Sequence, residues 1–133
     1  MEQTFFIVKP DAMQHNKLGE IISIIEKNNF KIVDLKMIKA NEDILKLHYK
    51  ELVNKDFFPK LVSFMTEVPV VVGILEKENA VTEWRKLIGV TNSLEAEKGT
   101  VRNLFGTDKT RNAVHGSASI EEAKNEIKIW LNK

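Results

Sequence analysis

Apolar residues recur along this chain with two periods, and the alternation between those periods lays out its elements. Thr4 to Val8 is a compact apolar run, too short for a helix before Pro10, and it predicts a strand covered on both faces. Leu18, Ile21, Ile22 and Ile25 follow helical spacing, and Asn28-Asn29 ends that helix. Lys31 to Ile38 alternates well enough for a second strand. Asn41, followed by Glu42 and Asp43, predicts an N-cap and a helix reaching Val53. Asp56-Phe57-Phe58-Pro59 opens another helix, with proline in its first turn. That helix carries two apolar stripes. Phe58, Leu61, Val62 and Met65 form one, for the core; Phe57, Leu61 and Phe64 form an offset one, free for a ligand or another subunit. Pro69 to Leu75 is the clearest strand. Asn79 is expected to cap a helix that buries Ala80, Val81, Trp84, Leu87 and Ile88. Gly89 to Val101 reads as a loop, and Ala113-Val114 as a short strand. The last helix starts at Ser119, with Glu122 completing a Ser-x-x-Glu capping box, and buries Ile120, Ala123, Ile127, Trp130 and Leu131.

The order is β-α-β-α-α-β-α-β-α. With the extra helices treated as insertions it reduces to βαββαβ. The expectation is an α+β, ferredoxin-like fold: a four-stranded antiparallel sheet with helices packed on it. No repeat, linker or low-complexity tract interrupts it, so residues 1–133 are expected to form a single domain.

Composition narrows the function classes. Apolar residues make up 43% and charged residues 29%, which supports a core and argues against disorder. The formal net charge is +1, too little for a nonspecific nucleic-acid binder, so positive charge must act locally, as in a pocket for a small anion. There is no cysteine, which excludes a disulfide scaffold, a thiolate metal site and a cysteine nucleophile. No apolar run approaches the roughly 20 residues that span a bilayer, and the N-terminus lacks a charged region and cleavage site. A cytoplasmic protein with no membrane partner is expected.

The chemistry concentrates around Arg111-Asn112-Ala113-Val114-His115-Gly116-Ser117. Imidazole is largely unprotonated near neutral pH and attacks phosphorus well. Gly116 lets backbone come close, and the following helix start offers N–H groups and a positive dipole end. Alone, the stretch is equally a surface turn that contains a histidine. Other residues at strand ends and in loops add to it: Lys9 after the first strand, Arg85 on its helix, Thr91 in the next loop, Arg102 after Gly99-Thr100, and Asn112. Each alone would be read as a solvated side chain or a turn residue.

Together these segments resemble the nucleoside diphosphate kinase family. The resemblance runs through Val8-Lys9-Pro10-Asp11, Gly19-Glu20-Ile21-Ile22, His48-Tyr49, Phe57-Phe58-Pro59, Pro69-Val70-Val71, Arg85 with Gly89 and Thr91-Asn92, Gly99-Thr100-Val101-Arg102, and Asn112 to Ser117. It implies a ping-pong transfer of the γ-phosphoryl group from a nucleoside triphosphate to a nucleoside diphosphate, with His115 matching the histidine that carries it. It further implies that Lys9, Arg85, Arg102 and Thr91 hold the phosphates, and that Lys9 and Asn112 meet the ribose. Phe57, with Leu61 beside it, matches the residue on which the base stacks. Glu126 matches the glutamate that holds the histidine ring, with Ser117 linked to it, and Tyr49 a phenol near the nucleophile. Without the resemblance, Glu126 reads as a solvated helix carboxylate and Tyr49 as packing. Mg2+ is expected on the nucleotide phosphates, because no carboxylate cluster suggests a metal site of the protein's own. Relatives assemble as tetramers or hexamers built from dimers, which implies a homo-oligomer here.

The chain departs from the family pattern at Ala118, usually Asp, and at Ser93 and Lys98, often Pro. Capping by Ser119 is expected to absorb the first change; the others are expected to loosen the loop that carries subunit contacts. Two other functions fit the residues less well. A nucleotide-binding scaffold without turnover has no need of a free imidazole. General RNA binding through the sheet lacks both a basic excess and paired strand aromatics.

Overall fold

The N-terminal apolar run forms β1 (Glu2–Val8), and its two faces feed two separate cores. Phe6 and Val8 point to one side, Phe5 and Ile7 to the other, as strand geometry requires. All four side chains are fully buried. In the computed structural model, which describes residues 1–133, β1 lies inside a four-stranded sheet of order β2-β3-β1-β4. The other strands are β2 (Lys31–Ile38), β3 (Val70–Lys77) and β4 (Val114–Gly116), and every pairing is antiparallel. This is the expected ferredoxin-like α+β arrangement.

The helices cover both faces. The first core takes Ile21 and Ile25 from α2 (Leu18–Lys27) and Trp84 and Ile88 from α5 (Ala80–Ile88). The second takes Leu45 from α3 (Glu42–His48), Phe64 and Met65 from α4 (Phe58–Met65), and Ile127 and Trp130 from α7 (Ile120–Leu131). Two five-residue helices, α1 (Pro10–Gln14) and α6 (Val101–Phe105), fill stretches for which the sequence predicts no helix. They are too short to display a 3.6-residue period. No helix is long and apolar enough to cross a membrane.

The structure departs from local expectations in four places. α3 stops at His48 and tightens into a 3-10 turn over Lys50–Leu52, short of Val53, because Tyr49 leaves the helical region with ψ at 35°. Asn79 does not cap α5: its backbone is left-handed, φ 57°, and its side chain accepts nothing. A carboxylate oxygen of Glu2 instead accepts from the N–H of Val81 at 2.8 Å. Phe64 is buried in the second core, so the offset stripe of α4 leaves only Phe57 exposed and Leu61 half-buried. Ile120 is exposed at the start of α7. The caps at Asn41 and Ser119 hold, each side chain accepting the N–H three residues on. Glu122 reaches back one residue further than in a capping box, accepting from the N–H of Ala118 at 3.1 Å. That bond and the Ser119 cap fix the helix start where the family usually has an aspartate.

Candidate active site

His115 is the middle residue of β4, paired with Ile7 of β1. Its carbonyl accepts the indole N–H of Trp84 at 3.2 Å. The next residue has to be glycine, since a Cβ on Gly116 would lie 2.7 Å from Trp84 Cδ1. Packing therefore accounts for the missing side chain expected to serve a ligand. Two residues after His115, the chain turns inward and Ser117 is fully buried.

The ring is held from one side. His115 Nε2 lies 2.9 Å from Oε1 of Glu126, on the second turn of α7, and the Ser117 hydroxyl donates to the same oxygen at 2.6 Å. One oxygen accepting two donors is a carboxylate oxygen, so the proton sits on Nε2. Nδ1 keeps its lone pair. Glu126 is buried, and burial pushes its pKa up, opposed by the Ser117 bond and by His48. Burial, and then the charges of Lys9, Arg102 and Arg85, hold the His115 imidazole well below its ordinary pKa and thus neutral.

A second histidine, missed as a site residue, lies against the first. His48 ends α3, and its ring meets that of His115 edge-on, with centroids 4.7 Å apart and 75° between planes. The Trp130 indole N–H donates to its Nδ1 at 3.0 Å, which puts the His48 proton on Nε2. Burial first, then repulsion from His115, lowers its pKa to about 3. Its sequence signal is the pair His48-Tyr49, in which the resemblance gives a role only to the phenol. Tyr49 stacks edge-on against His48 at 4.5 Å, and burial, with Glu126 nearby, pushes its phenol pKa up, so the hydroxyl stays a donor.

The cations come from distant parts of the chain. Lys9 Nζ donates to Asn112 Oδ1 at 2.9 Å, and both residues are buried. Burial and then Arg102 lower the Lys9 pKa to about 8, against an opposing pull from Asp11. Asn112 gives both amide hydrogens to the carbonyls of Thr91 and Lys109, and its Oδ1 accepts from Lys9. Arg102 is buried. Its two terminal nitrogens donate to the carbonyls of Gly89 and Val114, and its Nε has no partner. Burial and Arg85 bring its pKa down to about 10. Arg85 is exposed on α5 and Thr91 exposed in the loop after it.

Two cavities open here. One, of about 540 Å³, is lined by Arg85, Gly89, Thr91, Thr100 and Arg102, among others. The other, of about 270 Å³, is lined by His48, Tyr49, Leu52, His115, Asn125 and Glu126, among others. Arg102 joins them, since it lines the first and bonds the carbonyl preceding His115. Phe57 and Leu61 line neither cavity. His48, His115 and Glu126 are the one group close enough to hold a metal. Two imidazoles already bonded to Trp130 and Glu126 do not suit Mg2+, which takes oxygen ligands.

The arrangement is a neutral imidazole with one nitrogen anchored and the other free, near three cations whose only carboxylate neighbours on that side are Asp11, which faces Lys9, and Glu97, which lines the larger cavity. It can take up a phosphoryl group and hold a phosphate chain. Comparison with known proteins gives the same direction. The family model described as nucleoside diphosphate kinase matches residues 2–133. A nucleoside diphosphate kinase of Staphylococcus epidermidis is 47% identical over 131 residues, covering 98% of this chain and 88% of that protein. The crystal structure of the Aquifex aeolicus nucleoside diphosphate kinase superposes with a TM-score of 0.91 at 41% identity, covering 96% of this chain and 93% of that one. That of the Encephalitozoon cuniculi nucleoside diphosphate kinase gives 0.96 at 34% identity, covering 100% and 90%.

Proposed function

The chain belongs to the nucleoside diphosphate kinase family, and from that premise we propose that it moves the γ-phosphoryl group of a nucleoside triphosphate to a nucleoside diphosphate through a phosphohistidine on His115. The observation that carries the residue assignment is the Glu126 oxygen that accepts from both Ser117 and His115 Nε2, leaving Nδ1 as the nucleophile. In the first half-reaction the Nδ1 lone pair forms a bond to the γ-phosphorus. The bond from that phosphorus to the β-bridging oxygen breaks, and the electron pair leaves with the diphosphate. The ring becomes cationic, and the Glu126 carboxylate on its Nε2–H balances that charge. In the second half, a terminal oxygen of another nucleoside diphosphate attacks the phosphorus, and the pair returns to Nδ1. No net proton transfer is required, so catalysis rests on positioning and charge neutralisation.

Lys9, Arg85 and Arg102 supply that neutralisation. Thr91 and Tyr49 donate hydroxyl hydrogen bonds to phosphate oxygens. Lys9 and Asn112 meet the ribose, with Asn112 accepting through Oδ1. Phe57, with Leu61, carries the base on an aromatic face that tolerates every base. Gly116 and Ser117 support the nucleophile from behind. The nucleotides arrive as Mg2+ complexes, the ion travelling with the phosphates as part of the substrate. Residues 1–133 act as one domain, in a cytoplasmic setting, as subunits of a homo-oligomer of dimers, a tetramer or hexamer that the mass of the intact assembly distinguishes.

Incubation with γ-labelled ATP and Mg2+ tests the central step. The wild type is expected to take up an acid-labile, base-stable label, and His115→Ala none. Label that persists in the variant removes His115 from the reaction.

A further inference from the structure

Ala113, two residues before the nucleophile, has φ +72°, a left-handed conformation that a residue with a Cβ rarely adopts. The N–H of Val114 closes onto the carbonyl of Asn112 at 2.8 Å, so the chain makes a tight three-residue turn centred on Ala113. Conformations of this kind persist only where the surroundings over-determine them. Here both backbone groups of Ala113 are held by one segment. The N–H of Lys9 donates to the Ala113 carbonyl at 2.8 Å, and Asp11 Oδ2 accepts the Ala113 N–H at 3.0 Å. Asp11 is buried, and its other oxygen has no partner. Lys9 also holds the Asn112 side chain on the near side of the turn. Pro10, at the first position of α1, contributes no N–H, and the N–H groups of Asp11 and Ala12 act on the carboxylate less than that of Ala113 does.

We propose that Asp11 is a positioning residue for phosphoryl transfer: its carboxylate clamps the strained turn at Ala113 and thereby sets His115 against Asn112 and Lys9. The proposal rests on His115 being the phosphorylated residue. In the sequence, Asp11 has no visible role beyond its place after Lys9-Pro10. Without the carboxylate, the Ala113 N–H is buried and unsatisfied, and the backbone is free to relax to negative φ. Relaxation reorients the peptides on either side and moves Asn112 relative to the imidazole. The carboxylate has a second effect. It is the one anion that raises the Lys9 pKa, against Arg102 and burial; the remaining groups about that ammonium are the neutral Asn112 amide and the neutral His115 and His48 rings.

The test is the single-turnover rate of label transfer from γ-labelled ATP to the protein, with folding followed by thermal melting. Asp11→Ala is expected to slow transfer about ten- to a hundredfold, the range that strain of this kind represents as a rate. Glycine adopts positive φ freely, so adding Ala113→Gly to Asp11→Ala is expected to recover at least about tenfold. A residue that merely stabilises the fold gives no such recovery. Asp11→Asn keeps an oxygen acceptor for the Ala113 N–H and is expected to stay within about threefold of wild type at neutral pH. The alkaline limb of its rate profile is expected to move to lower pH, because Lys9 has lost its anionic neighbour. If Asp11→Ala alone does not fold, the double variant is still expected to fold and take up label. Wild-type transfer in a folded Asp11→Ala, or a double variant as slow or as unfolded as the single one, overturns the proposal. Label on His115→Ala overturns the kinase assignment of that histidine instead, so the two failures are separable.

Discussion

Phe57 is 52% exposed at the N-cap of α4, which leaves its ring open to a ligand. Its neighbour Phe58 is buried, so the pair splits between core and surface. If Phe57 is the face on which the base lies, Phe57→Ala weakens every nucleotide by a similar amount, about 1–3 kcal/mol, the usual range for base–aromatic stacking. Titrations with adenine, guanine, uracil and cytosine diphosphates check this, and a loss confined to one base contradicts it. At this scale, legibility followed chemistry. His115 stood out for its chemistry, an imidazole beside glycine and a hydroxyl before a helix start, but alone it read equally as a surface turn, and only the resemblance separated the two. The cations were visible one at a time, but only the resemblance grouped them. Glu126 was indistinguishable from any helix carboxylate, because its burial depends on how α7 lands on β1. His48 and Asp11 act through bonds to Trp130 and Ala113, far away in sequence, and nothing local announces such partners.

Elements were legible in proportion to their length. α2 and α7 span 10 and 12 residues and showed clear periods, whereas α1 and α6, of five residues each, did not. The buried strands β1 and β3 read correctly as continuous apolar runs. β2 is the instructive case. It alternates, yet Val33, Leu35 and Met37 are exposed, at 43, 46 and 59%. It is also an edge strand, paired only with β3. An edge with unpaired backbone groups and exposed apolar side chains can accept a second chain, although Lys31, Lys36 and the irregularity between Ile32 and Asp34 limit which one. If the proposed homo-oligomer forms, this edge is where the exposed apolar side chains favour a contact between copies. Leu35→Glu combined with Met37→Glu is expected to lower the mass of the assembly in light scattering while each subunit stays folded. An unchanged mass puts the contact elsewhere.

At the scale of the whole molecule, the site opposes the stability of the fold. Lys9 is 8% exposed beside Arg102, and its folded pKa of about 8 lies below the 10.5 of an ordinary lysine. Between those values the unfolded chain binds more protons than the folded one, so stability rises with pH across that window. Keeping Lys9 charged below pH 8 thus costs the native state up to about 3 kcal/mol, because each pH unit between the two values is worth about 1.4 kcal/mol. In the proposed reaction, nucleotide phosphates are the anion that relieves this cost, and activity is expected to have the opposite dependence, since an uncharged Lys9 would no longer neutralise phosphate. Without nucleotide, the melting temperature is therefore expected to climb from about pH 8 to about pH 10 while turnover declines. The window ends near pH 10 because the unfolded lysine then loses its own proton; above it Tyr49, held above its ordinary pKa of 10.0, lowers stability, while Arg102, brought down to about 10, raises it. Saturating ADP flattens the climb by lifting the Lys9 pKa. Lys9→Met removes the titrating group, and its melting temperature is expected to lack the rise. Its absolute stability is not the measure, because Asn112 Oδ1 then loses its buried donor at a cost of about 1–3 kcal/mol. A wild-type melting temperature that stays level or falls across the window, or an identical slope in Lys9→Met, would show that this buried cation is not what sets the native state against its own active site.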